Sequence, residues 1–159
     1  MLDLGCGAGD FTALLVDRGY AAVGCDVSEV ALRRARARFP GSEFAQSGEE
    51  LPLADASFDV VWVGEVIEHV QDCLGLLAEV HRVLRSGGRL LLTTPDHSAM
   101  RRLRAGLSRR AFERMLDPRS DHVRFFTAGS LRDTLGAAEF GEVVVARRRG
   151  VLLATATPA

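Results

Sequence analysis

Short apolar runs alternate with amphipathic segments along the 159 residues of the chain. The runs have the composition of buried strands, and the segments between them repeat apolar side chains at helical spacing. The predicted strands are 1–4, 21–26, 43–45, 58–63 and 89–94, and the predicted helices are 10–18, 29–39, 72–84 and 130–139. Strands and helices that alternate in this order predict an α/β domain with a Rossmann-like, doubly wound and mostly parallel sheet.

Two regions near the C-terminus depart from this alternation. Apolar runs at 143–146 and 151–155 predict an antiparallel hairpin that turns at 147–150. Residues 96–121 are rich in arginine and contain one amphipathic stretch, and we predict that they form a cap inserted into a single domain spanning 1–159. A chain of this length, 47% hydrophobic, can bury one core of ordinary size.

Composition narrows the classes of function. The formal net charge is −1, so no overall field would attract nucleic acid. All 20 Lys and Arg residues are Arg, which excludes Schiff-base chemistry and a Walker-type phosphate lysine, because both need a primary amine. No apolar run approaches the roughly 20 residues that span a bilayer. The three cysteines form no CxxC pair, and we expect a cytoplasmic protein in a reducing compartment.

The glycine-rich turn at residues 3–9, D-L-G-C-G-A-G, lies between the first predicted strand and the first predicted helix. Glycine allows backbone to approach a ligand closely and to adopt positive φ. A dinucleotide site would have the spacing G-x-G-x-x-G, whereas Gly5, Gly7 and Gly9 stand at alternate positions and Asp3 precedes them by two. The turn therefore indicates a nucleotide-like ligand and disfavours NAD.

An acidic residue, Asp26, ends the second predicted strand 17 residues after Gly9. A carboxylate there can accept hydrogen bonds from both hydroxyls of a ribose, each worth about 1.5–3 kcal/mol. NAD sites share this feature, so it indicates a ribose without naming the cofactor. The alternative is a helix N-cap role for Asp26 or Ser28.

Three further motifs follow in order: G-E-E-L-P-L at 48–53, S-F-D-V-V at 57–61 and G-E-V-I-E-H-V at 64–70. Together with the glycine turn and Asp26, they resemble the class I S-adenosylmethionine-dependent methyltransferases of the ubiquinone-biosynthesis type. The resemblance runs from residue 2 to about residue 95 and resumes with D-H-V-R-F-F-T at 121–127.

The resemblance implies a set of cofactor-binding residues. Gly5 and Gly7 would approach the methionine moiety, and Asp26 would hold the ribose. Residues supporting the loop, lining the adenine or lying near the sulfonium complete the implied set: Asp3, Cys6, Gly9, Val27, Ser47, Gly48, Glu49, Leu51, Val63 and Gly64.

The sequence departs from the family at two places. The family commonly has Asp where Ser47 stands, and serine is a weaker acceptor for the adenine amino group. Relatives also usually have a helical segment and a longer first strand before the glycine loop, whereas this sequence starts at Met1. A fragment, a late start codon and another covering element are the three interpretations.

Some relatives, the ubiquinone O-methyltransferases and the small-RNA terminal 2′-O-methyltransferases, pair E-x-x-E-H with a later histidine to hold a divalent cation. By that resemblance Glu65, Glu68, His69 and His122 bind Mg²⁺ or a similar ion that activates the acceptor. Helix capping and salt bridges to arginine are the alternative. An oxygen acceptor needs a base, for which His69 and His122 are the candidates, while His97 is interpreted as a packing residue.

We therefore expect methyl transfer from S-adenosylmethionine to a small-molecule acceptor, with oxygen favoured over nitrogen or carbon. The arginines of residues 96–121 are either a solvated face of the cap or a surface for an anionic acceptor such as a carboxylate, a phosphate or an RNA terminus. A cofactor-binding domain without catalysis is the main alternative, and an NAD-dependent oxidoreductase is the other.

Overall fold

The computed structural model describes residues 1–48, 50–98, 106 and 121–159. Within these ranges the strands are β1 (Leu2–Leu4), β2 (Val23–Asp26), β3 (Glu43–Gln46), β4 (Phe58–Gly64), β5 (Leu84–Pro95), β6 (Phe140–Arg148) and β7 (Val151–Pro158). The helices are α1 (Asp10–Asp17), α2 (Glu29–Arg38), α3 (Cys73–Val83) and α4 (Ala128–Ala137), with a single 3-10 turn at Ile67–His69.

The strands form one sheet in the order β3-β2-β1-β4-β5-β7-β6. The five strands from β3 to β5 pair in parallel, and β7 pairs antiparallel with both β5 and β6. This confirms the predicted doubly wound, mostly parallel sheet with a C-terminal antiparallel hairpin. The chain leaves β1 toward β2 on one side and later adds β4 on the other, so the strand order reverses at β1.

The core lies between the sheet and the helices α3 and α4. Leu77 and Val80 of α3 and Leu131 and Leu135 of α4 are fully buried, in one cluster with the buried side chains of β4, β5 and β7. Burial of each such side chain is worth about 1.5–3 kcal/mol. The three residues of β1 are buried as well, so the strand that carries the glycine turn is held inside the molecule.

Side-chain caps set the starts of three helices. The Ser28 hydroxyl accepts from the backbone N–H of Ala31 at 3.2 Å, and Asp72 accepts from that of Gly75 at 2.9 Å. Thr127 forms a capping box with Ser130, which places the start of α4 before the predicted residue 130. The observed helices otherwise agree with the predicted ones to within two residues.

The chain around Leu84 differs from the prediction. Residue 84 was expected to end a helix and the next strand to begin at 89. Leu84 instead has extended backbone angles and pairs with Phe58, so β5 begins directly after α3. Gly87, with φ of +74°, lies inside this strand near an irregularity in the pairing with β4.

The C-terminal hairpin is tighter than the predicted turn at 147–150. Arg149 and Gly150 have φ of +49° and +89°, as a two-residue type I′ turn requires. Arg147 and Arg148 consequently lie in β6, where they pair with Leu152 and Val151.

The predicted cap lies mostly outside the described residues, and the arginines at 101, 102, 104, 109, 110 and 114 lie wholly outside them. Its first residues pair with the chain that follows it: Asp96 bridges to Phe126, and the His97 N–H donates to the Phe126 carbonyl at 2.8 Å. The described helices include none that is long and apolar enough to cross a membrane.

Candidate active site

An open cleft of about 860 Å³ lies at the carboxyl ends of β1, β2 and β4. Ligands of doubly wound sheets bind at this edge, where the strand order reverses. The cleft brings together six of the residues that the sequence assigned to a cofactor: Gly5, Asp26, Val27, Ser47, Gly48 and Leu51. Glu65 and His69 from the predicted metal set also line it.

The glycine turn needs positive φ at each alternate position. Gly5, Gly7 and Gly9 have φ of +79°, +54° and +82°. A Cβ on Gly5 would lie 2.2 Å from Cγ2 of Val66, whereas a Cβ on Gly7 would meet no atom of the described residues within 4 Å. Gly5 is therefore required by the protein's own packing, and Gly7 faces open space.

The Asp26 carboxylate is tied to this turn. Its Oδ2 accepts from the backbone N–H of Gly7 at 2.8 Å, and its Oδ1 accepts from that of Ser28 at 2.8 Å. Each carboxylate oxygen has further acceptor capacity, so ribose hydroxyls can still bind. Ser28, and not Asp26, caps α2 through its side chain.

Asp3 lies beneath the turn, 3% exposed, and does not line the cleft. Its Oδ2 accepts from the Thr12 hydroxyl at 2.6 Å. Burial raises the pKa of Asp3 above its ordinary value, and the hydrogen bond from Thr12 opposes that rise. This hydrogen bond joins β1 to α1, and the support that Asp3 gives to a cofactor loop stays a prediction.

Other residues of the predicted cofactor set lie in the packing around the cleft. A Cβ on Gly9 would lie 2.7 Å from the Phe44 ring, and one on Gly64 would lie 2.6 Å from Nε1 of Trp62. Val63 is fully buried, and Cys6 is nearly so. Burial raises the pKa of the Cys6 thiol to about 12. Glu49 lies outside the described residues.

Ser47 is nearly buried, and its N–H donates to the Asp26 carbonyl at 3.0 Å. Burial raises the pKa of the neighbouring Cys25 thiol, and a hydrogen bond with the Ser47 side chain offsets part of that rise. Ser47 thus lines the cleft and also contacts the thiol on the adjoining strand.

The cleft is also lined by Glu79 and Asp72 of the α3 segment, which the sequence motifs do not indicate. The available signal was the spacing of Glu79 and Arg82, three residues apart and therefore neighbours on one helix face. Nothing in that spacing indicates which loop the pair contacts.

A cluster of possible metal ligands consists of Glu68, His69 and His122. One ligand atom from each of these residues lies within 4.8 Å of the others. Glu65, the fourth predicted metal ligand, is not in this cluster. It lies on the cleft with φ of +53°, and its N–H donates to the Thr93 carbonyl at 3.0 Å.

Glu68 is the buried member of the cluster, 1% exposed. Its Oε2 accepts from the Thr94 hydroxyl at 2.9 Å, and its Oε1 has no hydrogen-bond partner among the described residues. Burial raises the pKa of this carboxyl. A buried oxygen without a partner is costly unless a ligand satisfies it.

The chain that returns after residue 120 is held over this cluster. The N–H groups of Val123 and Arg124 donate to the Glu68 carbonyl at 2.8 and 3.0 Å. Nδ1 of His69 lies 3.3 Å from the Asp121 carbonyl oxygen, and the His69 and His122 rings meet edge-on at 4.7 Å.

One carboxylate and two imidazoles are the ligand types of borderline cations such as Zn²⁺ and Fe²⁺. Mg²⁺ takes oxygen ligands and commonly keeps several waters. The residues present therefore fit a transition-metal ion better than the Mg²⁺ expected from the sequence. His97 lies elsewhere, with its ring edge-on to Phe125 at 5.0 Å.

Comparison with known proteins identifies the family. The family described as "Methyltransferase domain" matches residues 2–92, more than half of the chain. A probable S-adenosylmethionine-dependent methyltransferase of Mycolicibacterium smegmatis is 40% identical over 97 residues, which are 60% of this chain and 38% of that protein. A malonyl-[acyl-carrier protein] O-methyltransferase of Pseudescherichia vulneris is 30% identical over 138 residues, 86% of this chain and 53% of that protein.

The chain thus spans less than two thirds of the length of either relative. Among solved structures, the PH0226 protein from Pyrococcus horikoshii OT3 superposes with a TM-score of 0.78 over 99% of this chain and 81% of that one, at 24% identity. That similarity supports the fold, and the family match covers the turn, Asp26 and the E-V-I-E-H-V segment. The chain belongs to the methyltransferase domain family.

Proposed function

We propose that this chain binds S-adenosylmethionine in the cleft and transfers its methyl group to a small-molecule acceptor, preferentially onto oxygen. The observation that carries the proposal is the pairing of Gly7 with Asp26 beside the open space above Gly7. The Asp26 carboxylate, for the ribose, and a stretch of backbone without side chains, for the amino-acid tail, therefore lie side by side. The proposal also rests on membership of the methyltransferase domain family.

When bound, the cofactor supplies the methyl group on its sulfonium sulfur. The leaving group is then a neutral thioether. The chain therefore needs no oxyanion hole for the leaving group, and its main contribution is to hold donor and acceptor in line. Such positioning can lower a barrier by about 7–11 kcal/mol. Asp26 orients the ribose, and the Gly5 turn, packed against Val66, orients the amino-acid end.

An oxygen acceptor also loses a proton. His69 lines the cleft, and the tautomer in which Nδ1 donates to the Asp121 carbonyl leaves Nε2 as an acceptor. We propose His69 as the base, with the His122 ring packed against it as its support. Replacement of His69 by Gln should then lower kcat for a hydroxyl acceptor by about 10²–10⁴-fold and leave cofactor affinity unchanged.

Two measurements test the function. Isothermal titration calorimetry with S-adenosylhomocysteine and with NAD distinguishes the nucleotide classes, and we expect heat only with the former. Turnover against a panel of phenols, amines and carboxylic acids distinguishes an enzyme from a non-catalytic binder. The absence of heat with S-adenosylhomocysteine would contradict the proposal at its root, and binding without turnover of any acceptor would favour the non-catalytic alternative.

A second proposal concerns Glu68, His69 and His122, and it is favoured by their convergence and by the unpartnered Oε1 of Glu68. As an alternative to His69 acting as the base, we propose that these three residues hold a divalent transition-metal ion, which when bound would lower the pKa of an acceptor hydroxyl. The sequence-based set of four ligands is reduced to three, because Glu65 lies outside the cluster.

Metal binding is measured directly, by titrating the metal-free protein with Zn²⁺, Mn²⁺ and Mg²⁺ in separate calorimetric experiments. Binding should be lost in His122→Ala and retained in His97→Ala, a matched control outside the cluster. Equal binding by the two variants, or activity unchanged by exhaustive chelation, would remove the metal site and leave the role proposed for His69 intact.

The arginines of residues 96–121 are candidates for binding the acceptor. We propose that they attract an anionic acceptor, so that neutralising Arg101, Arg102 and Arg104 together raises the acceptor KM and leaves the affinity for S-adenosylhomocysteine unchanged. Equal KM values would favour a solvated face.

A further inference from the structure

The loop between β3 and β4 is held against α3 by one guanidinium and one carboxylate. Nη1 of Arg82 donates to the Leu53 carbonyl at 2.8 Å and to Oδ1 of Asp55 at 2.6 Å. Its Nη2 donates to the Leu51 carbonyl at 3.0 Å. One side chain on α3 thus contacts three residues of the loop, from 27 to 31 positions earlier in the chain.

Glu79 completes the connection. Its Oε1 and Oε2 accept from Nε and Nη2 of Arg82, both at 2.8 Å, in a bidentate ion pair. Oε2 also accepts from the backbone N–H of Leu51 at 2.7 Å. Both polar groups of the Leu51 backbone are therefore bound by this pair of side chains. Hydrogen bonding to Arg82 holds the pKa of Glu79 below its ordinary range, so the pair stays charged at neutral pH.

Arg82 and Glu79 together form a clamp on the Leu51 backbone. Leu51 also lines the cleft. Its side chain is 6% exposed and lines the cleft together with Ser47 and Gly48, on the side of Asp26. The described residues of this loop, 47–48 and 50–57, belong to no helix or strand. Backbone hydrogen bonds tie the two ends of the loop to β2 and α3, and the clamp adds side-chain bonds at Leu51, Leu53 and Asp55.

We propose that Arg82 is a positioning residue for the cofactor: through Leu51 and Glu79 it fixes the loop that closes the adenosyl end of the cleft. The proposal rests on the proposed function, since it takes the ligand to be S-adenosylmethionine. Arg82 does not line the cleft and acts only through its neighbours.

Arg85 provides a matched comparison three residues further along. It also forms a short ion pair, with Asp59 at 2.6 Å, and donates to a backbone carbonyl, that of Ser57, at 2.9 Å. These contacts lie at the amino ends of β4 and β5, away from the cleft. Loss of Arg85 removes one ion pair and one bond to a backbone carbonyl, fewer bonds than Arg82 makes, and it does not release Leu51.

The test compares Arg82→Met with Arg85→Met. We expect the dissociation constant for S-adenosylhomocysteine to rise by about tenfold in Arg82→Met and by less than about twofold in Arg85→Met. The KM for S-adenosylmethionine should rise with it, whereas kcat at saturating cofactor should change by less than about twofold, because the acceptor end is untouched. Arg82→Lys should be intermediate, since one ammonium cannot reproduce the planar fork.

Thermal melting of both variants reports any general loss of stability separately from affinity. If Arg82→Met does not fold, Glu79→Gln serves instead: it keeps an acceptor for Leu51, removes the ion pair and should raise the same dissociation constant by about threefold. Equal affinity of Arg82→Met and Arg85→Met, or of Glu79→Gln and the unmodified chain, would overturn the role of Arg82. Failure of the unmodified chain to bind S-adenosylhomocysteine would instead overturn the proposed function.

Discussion

The backbone N–H of Gly7 donates a 2.8 Å hydrogen bond to the Asp26 carboxylate. The two residues are 19 positions apart: Gly7 lies between β1 and α1, and Asp26 is the last residue of β2. The bond joins the glycine turn after β1 to the acidic end of β2, so the two motifs that indicated a nucleotide ligand are parts of one structure. A change in either motif should therefore affect the other.

Replacement of Asp26 by alanine should lower both ligand affinity and stability. It removes the acceptor of the Gly7 and Ser28 N–H groups and the expected acceptor of the ribose hydroxyls. We expect the dissociation constant for S-adenosylhomocysteine to rise by about 10–100-fold and the free energy of unfolding to fall by about 1.5–3 kcal/mol. Calorimetry and urea denaturation measure the two effects.

Ser28→Ala is the matched control for Asp26→Ala. It removes the cap of α2, at a cost of about 0.5–2 kcal/mol, and leaves the Asp26 carboxylate in place. Its affinity for S-adenosylhomocysteine should be unchanged. If both variants lost affinity in proportion to their stability, Asp26 would have no direct part in binding.

Gly5 and Gly7 should respond differently to alanine. At Gly5 the new methyl group would overlap the Val66 side chain at a positive φ, and we expect the free energy of unfolding to fall by about 2–4 kcal/mol. At Gly7 only the φ penalty of about 1–2 kcal/mol applies, because the methyl group enters open space. Gly7 does not line the cleft itself, but we propose that the amino-acid tail of the cofactor extends into this space, so Gly7→Ala should weaken cofactor binding more than it weakens the fold.

Adding Val66→Ala to Gly5→Ala should restore part of the lost stability, since it removes the overlapping atom. Urea denaturation of the single and double variants tests the contact. If the double variant loses at least as much free energy of unfolding as the two single variants lose together, Val66 is not the obstacle.

The buried Asp3 carboxyl makes stability depend on pH. Burial raises its pKa in the folded state above the ordinary value of 3.8. The folded chain therefore binds this proton more readily than the unfolded chain, and the contribution to stability is present at low pH and is lost as pH rises through the raised pKa. The variant Asp3→Asn removes this pH-dependent contribution to the free energy of unfolding, because an amide does not titrate.

The difference in free energy of unfolding between Asp3→Asn and the unmodified chain should therefore favour the variant more at pH 7 than at acid pH. Any offset from the amide itself is independent of pH. Urea denaturation across a pH series measures the difference, and one that stayed constant with pH would mean that the pKa of Asp3 is not raised.

The three thiols should react at different rates. Burial raises the pKa of Cys6 to about 12, which leaves about one thiolate in 10,000 at pH 8, and burial also raises the pKa of Cys25. Burial raises the pKa of the Cys73 thiol too, but Cys73 is only partly buried and is therefore the most accessible of the three. Iodoacetamide at pH 8 should modify Cys73 first and the other two only after denaturant is added, as peptide mass spectrometry would record. Rapid modification of Cys6 in the folded protein would contradict its burial.

Local patterns were sufficient for the elements of the fold. Apolar runs and helical spacing placed α1, α2 and β4 to within one residue, because these features depend on neighbours a few positions apart. The same locality explains the errors. The start of β5 depends on the pairing of Leu84 with Phe58, and the hairpin turn depends on the register of β6 against β7.

The candidate site divides in the same way. The sequence by itself determined the family, the fold class and the placement of Asp26 and the glycine turn at strand ends, because each is a feature of contiguous residues. Only the tertiary structure decided that Gly5 faces Val66 while Gly7 faces space, that Glu65 is not in the cluster of Glu68, His69 and His122, and that Arg82 holds Leu51. These relationships depend on distances between side chains that are remote along the chain, and such distances exist only after the sheet has formed.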